Sequence, residues 1–218
     1  MDLEEIKVYR MTHIDNMPHI LQFGITHRNS PNHNPNFTAI GDFSLINVRD
    51  NKQVTVDNGN FLDFEAPTIT LGHFIPFYFG IKMPMLYVIQ NGGNFVIDAT
   101  PPRKIVYLAC SVRQIITKQK SYYFSDGHAT DNLTTFYDET RINALSKIVD
   151  WNAIRASYWG GQENLNLKRK KQAEFLVSED IPPNLIIGFG CYNNTAKDKL
   201  IDLGINEDKI KIIPNAYY

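Results

Sequence analysis

From Lys168 the chain runs through four consecutive cations, Lys168, Arg169, Lys170 and Lys171, straight into Gln172-Ala173-Glu174-Phe175-Leu176-Val177. The second half reads as a strand that needs a core. Side chains alternate across a strand, so Gln172, Glu174 and Leu176 are expected on one face and Ala173, Phe175 and Val177 on the other. A fold built around this segment must supply an apolar layer for one face and a setting for an amide and a carboxylate on the other. Taken alone, the segment fits a half-buried strand with Glu174 in water and the cations on a solvated helix end or loop.

The rest of the chain limits the possibilities. With 218 residues, 43% apolar and 21% charged, the composition is that of one globular domain able to bury a core without staples. The net charge is −1, from 22 basic and 23 acidic residues, so a nucleic-acid partner requires a local basic patch. Cys110 and Cys191 stand apart in apolar, strand-like runs, as buried thiols rather than disulfide or zinc ligands. The opening Met-Asp-Leu-Glu-Glu is acidic and unlike a signal peptide. No run approaches the ~20 apolar residues of a membrane span, so a soluble, cytoplasmic protein is expected.

Punctuation along the chain predicts a mixed α/β (α+β) arrangement without repeats or linkers, one domain over residues 1–218. Ile6, Val8 and Met11 suggest a first strand running to Thr12-His13. A short helix follows, capped by Asp15 or Asn16, with Pro18 in its first turn and Gly24 as its stop. Residues 27–36 read as loop. Residues 37–72 carry no clear pattern beyond turns at Asp57-Asn58-Gly59 and Ala66-Pro67. Phe74–Gly80 is an aromatic strand in which Pro76 argues for an edge or a bulge.

Further strands are expected at 105–110, 122–124, 172–177, 186–191 and 209–213, with helices at 111–117, 151–157 and 195–203. Residues 83–90 suit a buried helix or strand. Leu133, Phe136, Tyr137, Ile142, Leu145, Ile148 and Val149 recur at near-helical spacing and predict one or two helices there.

Chemistry-bearing motifs are mostly missing. The six histidines (His13, His19, His27, His33, His73 and His128) include no His-x-x-x-His pair and no HExxH, so the spacing gives a metal hydrolase no support. GxSxG, Walker A and GxGxxG are absent, and Gly92-Gly93 reads as a turn. Singly, His13 fits a strand-end histidine, Arg49 a surface arginine, His128 a loop residue, and Phe74, Phe77, Tyr78 and Phe79 a core.

In order, however, six segments resemble the successive motifs of the DarT family. They are Thr12-His13-Ile14-Asp15-Asn16, Ile75-Pro76-Phe77-Tyr78-Phe79, Pro84-Met85-Leu86-Tyr87, Phe124-Ser125-Asp126-Gly127-His128, Ala156-Ser157-Tyr158-Trp159 and Lys171-Gln172-Ala173-Glu174-Phe175-Leu176-Val177. The resemblance extends to the closing Tyr217-Tyr218. It implies an ADP-ribosyltransferase-like fold, with a central split β-sheet and an NAD cleft flanked by helices.

The implied activity is transfer of ADP-ribose from NAD, as co-substrate and without metal, to a base of single-stranded DNA. Thymine is favoured over guanine. The implied setting is a toxin countered by a DarG-like macrodomain antitoxin, with no membrane partner. By the same resemblance, Glu174 and Arg49 fall on the catalytic positions. Thr12, His13, Asn16 and Arg49 fall where NAD is held, with Tyr78 and Met85 on the nicotinamide side. His128, Lys82, Arg155, Tyr158, Lys168 and Lys170 are expected on the DNA side. Tyr158 could instead pack its helix onto the core.

Physical chemistry agrees with these assignments. Breaking the nicotinamide–ribose bond builds positive charge on the sugar, which a carboxylate stabilises. Guanidinium stays protonated, so Arg49 suits polarising a base carbonyl, and Glu174 suits taking the proton. A base inside a duplex cannot reach a cleft, so a single strand or a flipped base is required. The competing readings are a transferase acting on RNA or protein, a non-catalytic nucleic-acid-binding module and, more distantly, a metal-dependent nuclease.

Overall fold

The computed structural model describes residues 2–41, 43–92, 96, 98–118 and 121–218, without the side chains at 43 and 45. Of the predicted Gly92-Gly93 turn, Gly93 lies outside the described residues. Gly92, with φ 72°, closes a helix. The chain begins with β1 (Lys7–His13), α1 (Met17–Phe23), α2 (Phe43–Asn51), β2 (Gln53–Thr55), β3 (Thr68–Thr70) and β4 (Ile75–Tyr78). Next come α3 (Pro84–Asn91), β5 (Ile105–Ser111), α4 (Val112–Lys118), β6 (Tyr122–Ser125) and β7 (Phe136–Tyr137). The remainder is α5 (Leu145–Ile148), α6 (Trp151–Arg155), α7 (Leu165–Lys171), β8 (Glu174–Val177), β9 (Ile186–Cys191), α8 (Asn194–Asp202) and β10 (Ile210–Ile212).

The expected mixed α+β fold is borne out. Eight strands form one sheet in the order β10-β9-β5-β1-β4-β8-β6-β7, antiparallel except for β9 and β10. That parallel pair needs a crossover, and α8 supplies it. Asn193 starts this helix, its side chain accepting from the Ala196 N–H at 3.0 Å. β5 is apolar almost throughout because both of its faces are covered.

One face of the sheet packs a large core around Val8, Leu108, Phe77, Phe124 and Phe175. The other face carries two separate covers. Leu86, Ile89, Tyr107 and Tyr217 cover β1 and β5, whereas Val56, Leu71, Phe74, Phe136 and Leu176 cover β8 and the β2–β3 hairpin. Tyr78 and Glu174, directly opposite one another on β4 and β8, belong to neither cover.

The sheet is seamed where these covers part. β1 pairs with β5 at seven positions but with β4 at one, Tyr9 opposite Tyr78. Arg10 reaches over the seam and donates from Nη1 to the Pro76 carbonyl at 2.9 Å. A strand residue's N–H and C=O point to the same side, so the hydrogen that Pro76 lacks would also face the seam. This corrects the expectation that Pro76 marks a sheet edge or a bulge, since β4 also pairs with β8 in unbroken register. β4 is an interior strand, and proline is tolerated because the neighbour on that side makes a single pair.

Three further expectations are corrected. The 172–177 strand starts at Glu174. Gln172 instead ends α7, its amide donating to the Lys168 carbonyl at 3.2 Å, so it does not share a strand face with the carboxylate. The basic run is the last turn of α7, and it is not uniformly solvated. Arg169 and Lys171 are buried, with Arg169 donating to Asp126 at 2.9 Å. Finally, Phe136 and Tyr137 form β7 rather than a helix, and Leu133 is exposed. A handful of apolar residues fits several periods, and pairing with β6 decided this one.

Candidate active site

β8 presents its glutamate from the middle of the structure. The Glu174 side chain has no exposed surface, and its Oε1 accepts from the Ala129 N–H at 3.0 Å. Its own backbone N–H donates to the buried Ser125 hydroxyl at 3.0 Å. That hydroxyl donates to the Gly127 carbonyl at 2.7 Å, so the 125–129 turn and the start of β8 hold one another. Asp126 in this turn is gripped by Arg169, which is why a cation of the basic run is buried here.

Arg49 approaches from α2, with its Nη1 2.8 Å from Glu174 Oε2. The pair is an electrostatic contact rather than an aligned hydrogen bond. Among the described residues, Arg49 Nε, Arg49 Nη2 and Glu174 Oε2 are therefore all buried without a hydrogen-bond partner. Three orphaned atoms at one spot are costly, at about 1–3 kcal/mol each, and a ligand offering both acceptors and donors would satisfy them.

Tyr78 and Arg10 complete the charged cluster. Burial, then the negative charge of Glu174, pushes the Tyr78 phenol far above its ordinary value, so it stays a neutral donor. Burial, then Arg49, lowers Arg10 to about 10, which leaves it charged at neutral pH. Arg10 was not foreseen from sequence. Its signal was available: it falls on the β1 face with Val8 and Thr12, where an arginine interrupts a buried stripe.

A cavity of about 360 Å³ opens on the side of the seam where β1 and β4 part after Tyr9 and before Tyr78. Thr12, Asn16 and Arg49 line it, together with Arg10, His19 and Pro76. Gly24, at the end of α1, also lines it. Its φ of 83° and the abutting Ile181 carbonyl leave no room for a side chain. Asn16 is fully buried and holds the loop above the cavity. Its amide donates to Thr12 Oγ1 at 3.0 Å and to the Thr38 carbonyl at 2.8 Å, and its oxygen accepts from the Thr38 N–H at 2.8 Å. Asn16→Ala is expected to lower unfolding free energy by about 2–4 kcal/mol, because it strands the Thr38 groups. Urea titration measures that loss, and a raised KM for a ligand of this cavity should accompany it.

The other sequence-predicted residues are placed as follows. His13 is buried at the end of β1, and its Nδ1 accepts from the Asp15 N–H at 3.2 Å, so the neutral ring carries its proton on Nε2. Met85, on α3, packs against the cluster that holds Leu86, Tyr107 and Tyr217 and does not line the cavity. His128 stands beside Ala129, its Nδ1 2.9 Å from Thr130 Oγ1. Lys82 and Arg155 line a second cavity. Tyr158 is 67% exposed, so the alternative of packing onto the core is not realised. Lys168 sits 5.2 Å over the Trp159 ring, and Lys170 pairs with Asp150 at 3.1 Å. Among the described residues, no group of three or more His, Cys, Asp or Glu could hold a metal, and no helix is long and apolar enough to cross a membrane.

Burial, the largest cause for each, lowers His13 and His128 below the ordinary value. The unfolded chain therefore binds their protons first. Stability from this source is complete above about pH 6.5 and falls as pH drops through the depressed folded values. Urea midpoints should decline from pH 7.5 to 5.5, and His128→Asn should flatten part of that slope. Asp15, lowered by Lys199, and Asp150, lowered by the Ala153 N–H, act in a separate window below about pH 4.

The family model described as ssDNA thymidine ADP-ribosyltransferase, DarT, matches residues 9–218. The chain belongs to the DarT family. A DNA ADP-ribosyl transferase of Escherichia coli O127:H6 is 31% identical over 194 residues, 88% of this chain and 83% of that protein. The structure of Thermus sp. 2.9 DarT in complex with ADP-ribosylated ssDNA has a TM-score of 0.80, with 26% identity, 99% of this chain and 97% of that one covered. The same Thermus DarT in complex with NAD+ gives a TM-score of 0.74 over 99% of this chain and 98% of that one, at 26% identity. A DNA ADP-ribosyl transferase–DNA ADP-ribosyl glycohydrolase fusion protein of Thermosipho africanus is 27% identical over 213 residues, 97% of this chain and 49% of the fusion. Membership makes the chain an NAD-dependent DNA ADP-ribosyltransferase by class, and the match extends over nearly its whole length.

Proposed function

We propose that this protein, read as a single transferase domain over residues 1–218, moves ADP-ribose from NAD to a thymine of single-stranded DNA in the cytoplasm. The observation that carries the reading is the buried pair Arg49–Glu174, with two donors and one acceptor left unfilled at the sheet's seam. These atoms suit a sugar hydroxyl facing the carboxylate and a carbonyl or phosphate facing the guanidinium. Thr12, His13, Asn16 and Arg49 hold NAD, with Tyr78 and Met85 toward the nicotinamide. Tyr78 adds a neutral hydroxyl, suited to donating a hydrogen bond.

Glu174 is the catalytic carboxylate in this reading. It accepts from the ribose 2′-hydroxyl and stabilises the charge that develops at C1′ as nicotinamide departs with the bonding electrons. A thymine ring nitrogen forms the new bond to C1′, and its proton passes to Glu174. Arg49 remains charged throughout, polarises the base carbonyl and so makes the ring nitrogen easier to deprotonate. His128, Lys82, Arg155, Tyr158, Lys168 and Lys170 lie toward the acceptor strand, and exposed aromatic and basic side chains suit stacking and phosphate contact.

Such a modification blocks the template, which makes the protein a toxin. A macrodomain of the DarG kind, a counterpart to the glycohydrolase part of the fusion relative, is the antitoxin partner. The test incubates the protein with labelled NAD and single-stranded oligonucleotides, each containing one thymine or one guanine, with RNA and protein acceptors beside them. Label is expected on the thymine oligonucleotide alone. Label on RNA or protein with none on DNA would reject the proposed acceptor.

A further inference from the structure

β1 and β4 separate on both sides of the Tyr9–Tyr78 pair, and each separation holds a cavity. The cavity described above lies beyond Tyr9 and before Tyr78. The second, of about 630 Å³, lies at the opposite side, between the start of β1 and the segment Phe79–Lys82 that follows β4. Its volume falls in the range of nucleotide-sized ligands. Lys7, Lys82, Arg155 and Lys171 line it, against a single acidic side chain, Glu5.

Lys171 distinguishes this cavity from a merely basic surface. It is 2% exposed and donates to the Ile154 carbonyl at 2.9 Å. An ammonium has three donors, and among the described residues no carboxylate pairs with this one. Buried charges are ordinarily paired, and the other buried cation of the same turn, Arg169, has Asp126. Burial, then the like charge of Lys82, lowers Lys171 below its ordinary value, which is the signature of a cation lacking its counter-ion. Lys82 also holds a left-handed backbone, φ 56°, a conformation that a lysine keeps only where its surroundings impose it.

We propose that this second cavity binds a backbone phosphodiester of the acceptor strand, with Lys171 as the buried cation it neutralises and Lys7, Lys82 and Arg155 around it. The assignment rests on the DNA-acceptor reading and adds to it a fixed phosphate position. Tyr9 lines this cavity, faces Tyr78, and Tyr78 faces Glu174. The strand and NAD would thus approach the carboxylate from opposite sides of the seam, and the anchored phosphate would set which nucleotide is delivered there.

A scan of single methylphosphonate linkages, each removing one phosphate charge from a fluorescent oligonucleotide with one thymine, tests this. For the unaltered protein, one linkage near the thymine is expected to weaken binding at least tenfold. In a Lys7→Gln/Arg155→Gln variant, which alters only exposed side chains, that penalty should shrink to under twofold. The slope of log affinity against log salt should fall by roughly 0.7, the share of one phosphate on a single strand. Lys171→Met should behave likewise if it folds, and NAD affinity should stay within twofold in the double variant.

A double variant that keeps both the linkage penalty and the salt slope overturns the assignment, whatever transfer it retains. Displacement of the oligonucleotide from this site by NAD also overturns it, whereas inorganic phosphate should displace it only weakly. A linkage-specific penalty without any transfer of ADP-ribose would uphold the cavity and reject the functional reading.

Discussion

Glu174→Gln is expected to slow ADP-ribose transfer by roughly 10²–10³-fold, with little change in KM for NAD. The substitution keeps size and shape, and its carbonyl can still accept from the Ala129 N–H. What it removes is the charge opposite the developing sugar cation, which matters more in the transition state than in the ground state. The amide then turns its NH₂ toward Arg49, donor against donor, at a cost of about 1–2 kcal/mol in stability. Single-turnover transfer from labelled NAD, run beside a thermal melt, separates the two losses. A rate within fivefold of the unaltered protein would remove Glu174 from the chemistry.

Arg49→Ala should damage stability and activity together. The Arg49 side chain is 16% exposed, whereas Glu174 has no exposed surface, so alanine leaves an uncompensated carboxylate in the interior. Breaking a buried pair from one side typically costs about 3–5 kcal/mol, and the partial exposure of Arg49 places this case near the lower figure. Arg49→Lys divides the effects. It restores the positive charge and most of the stability, but an ammonium cannot offer the planar fork whose Nε and Nη2 stand unfilled. Transfer is therefore expected to stay at least tenfold down while the melting temperature recovers. Recovery of both in the lysine variant would show that charge alone is required at this position.

Much of the sheet could be read from the sequence because its strands are short, apolar and bounded by turn residues. β1, β5, β6 and β9 fall close to their expected places, and Gly24 stops α1 as expected. α2 was not readable. Ile46 and Val48 are exposed on it and so mark no buried stripe, yet it delivers Arg49 to the carboxylate. Composition also could not tell apart four adjacent cations. Whether such a side chain is buried depends on distant groups, Asp126 for Arg169 and the Ile154 carbonyl for Lys171. Glu174 was legible through the order of its flanking motifs, although its local alternation misplaced Gln172.

The single Tyr9–Tyr78 pair and the Arg10 strut have a mechanical consequence. Thr12 and Asn16 ride with the β1 and β5 half of the sheet, while Glu174 rides with the β4 and β8 half. Within each half, neighbouring strands pair at several positions, in ladders that resist shear. At the seam a small rocking of one half against the other costs few hydrogen bonds, yet it alters the distance from the nucleotide cradle to the carboxylate. The fold thus concentrates its compliance along the one line where two reactants have to be brought to a common spacing.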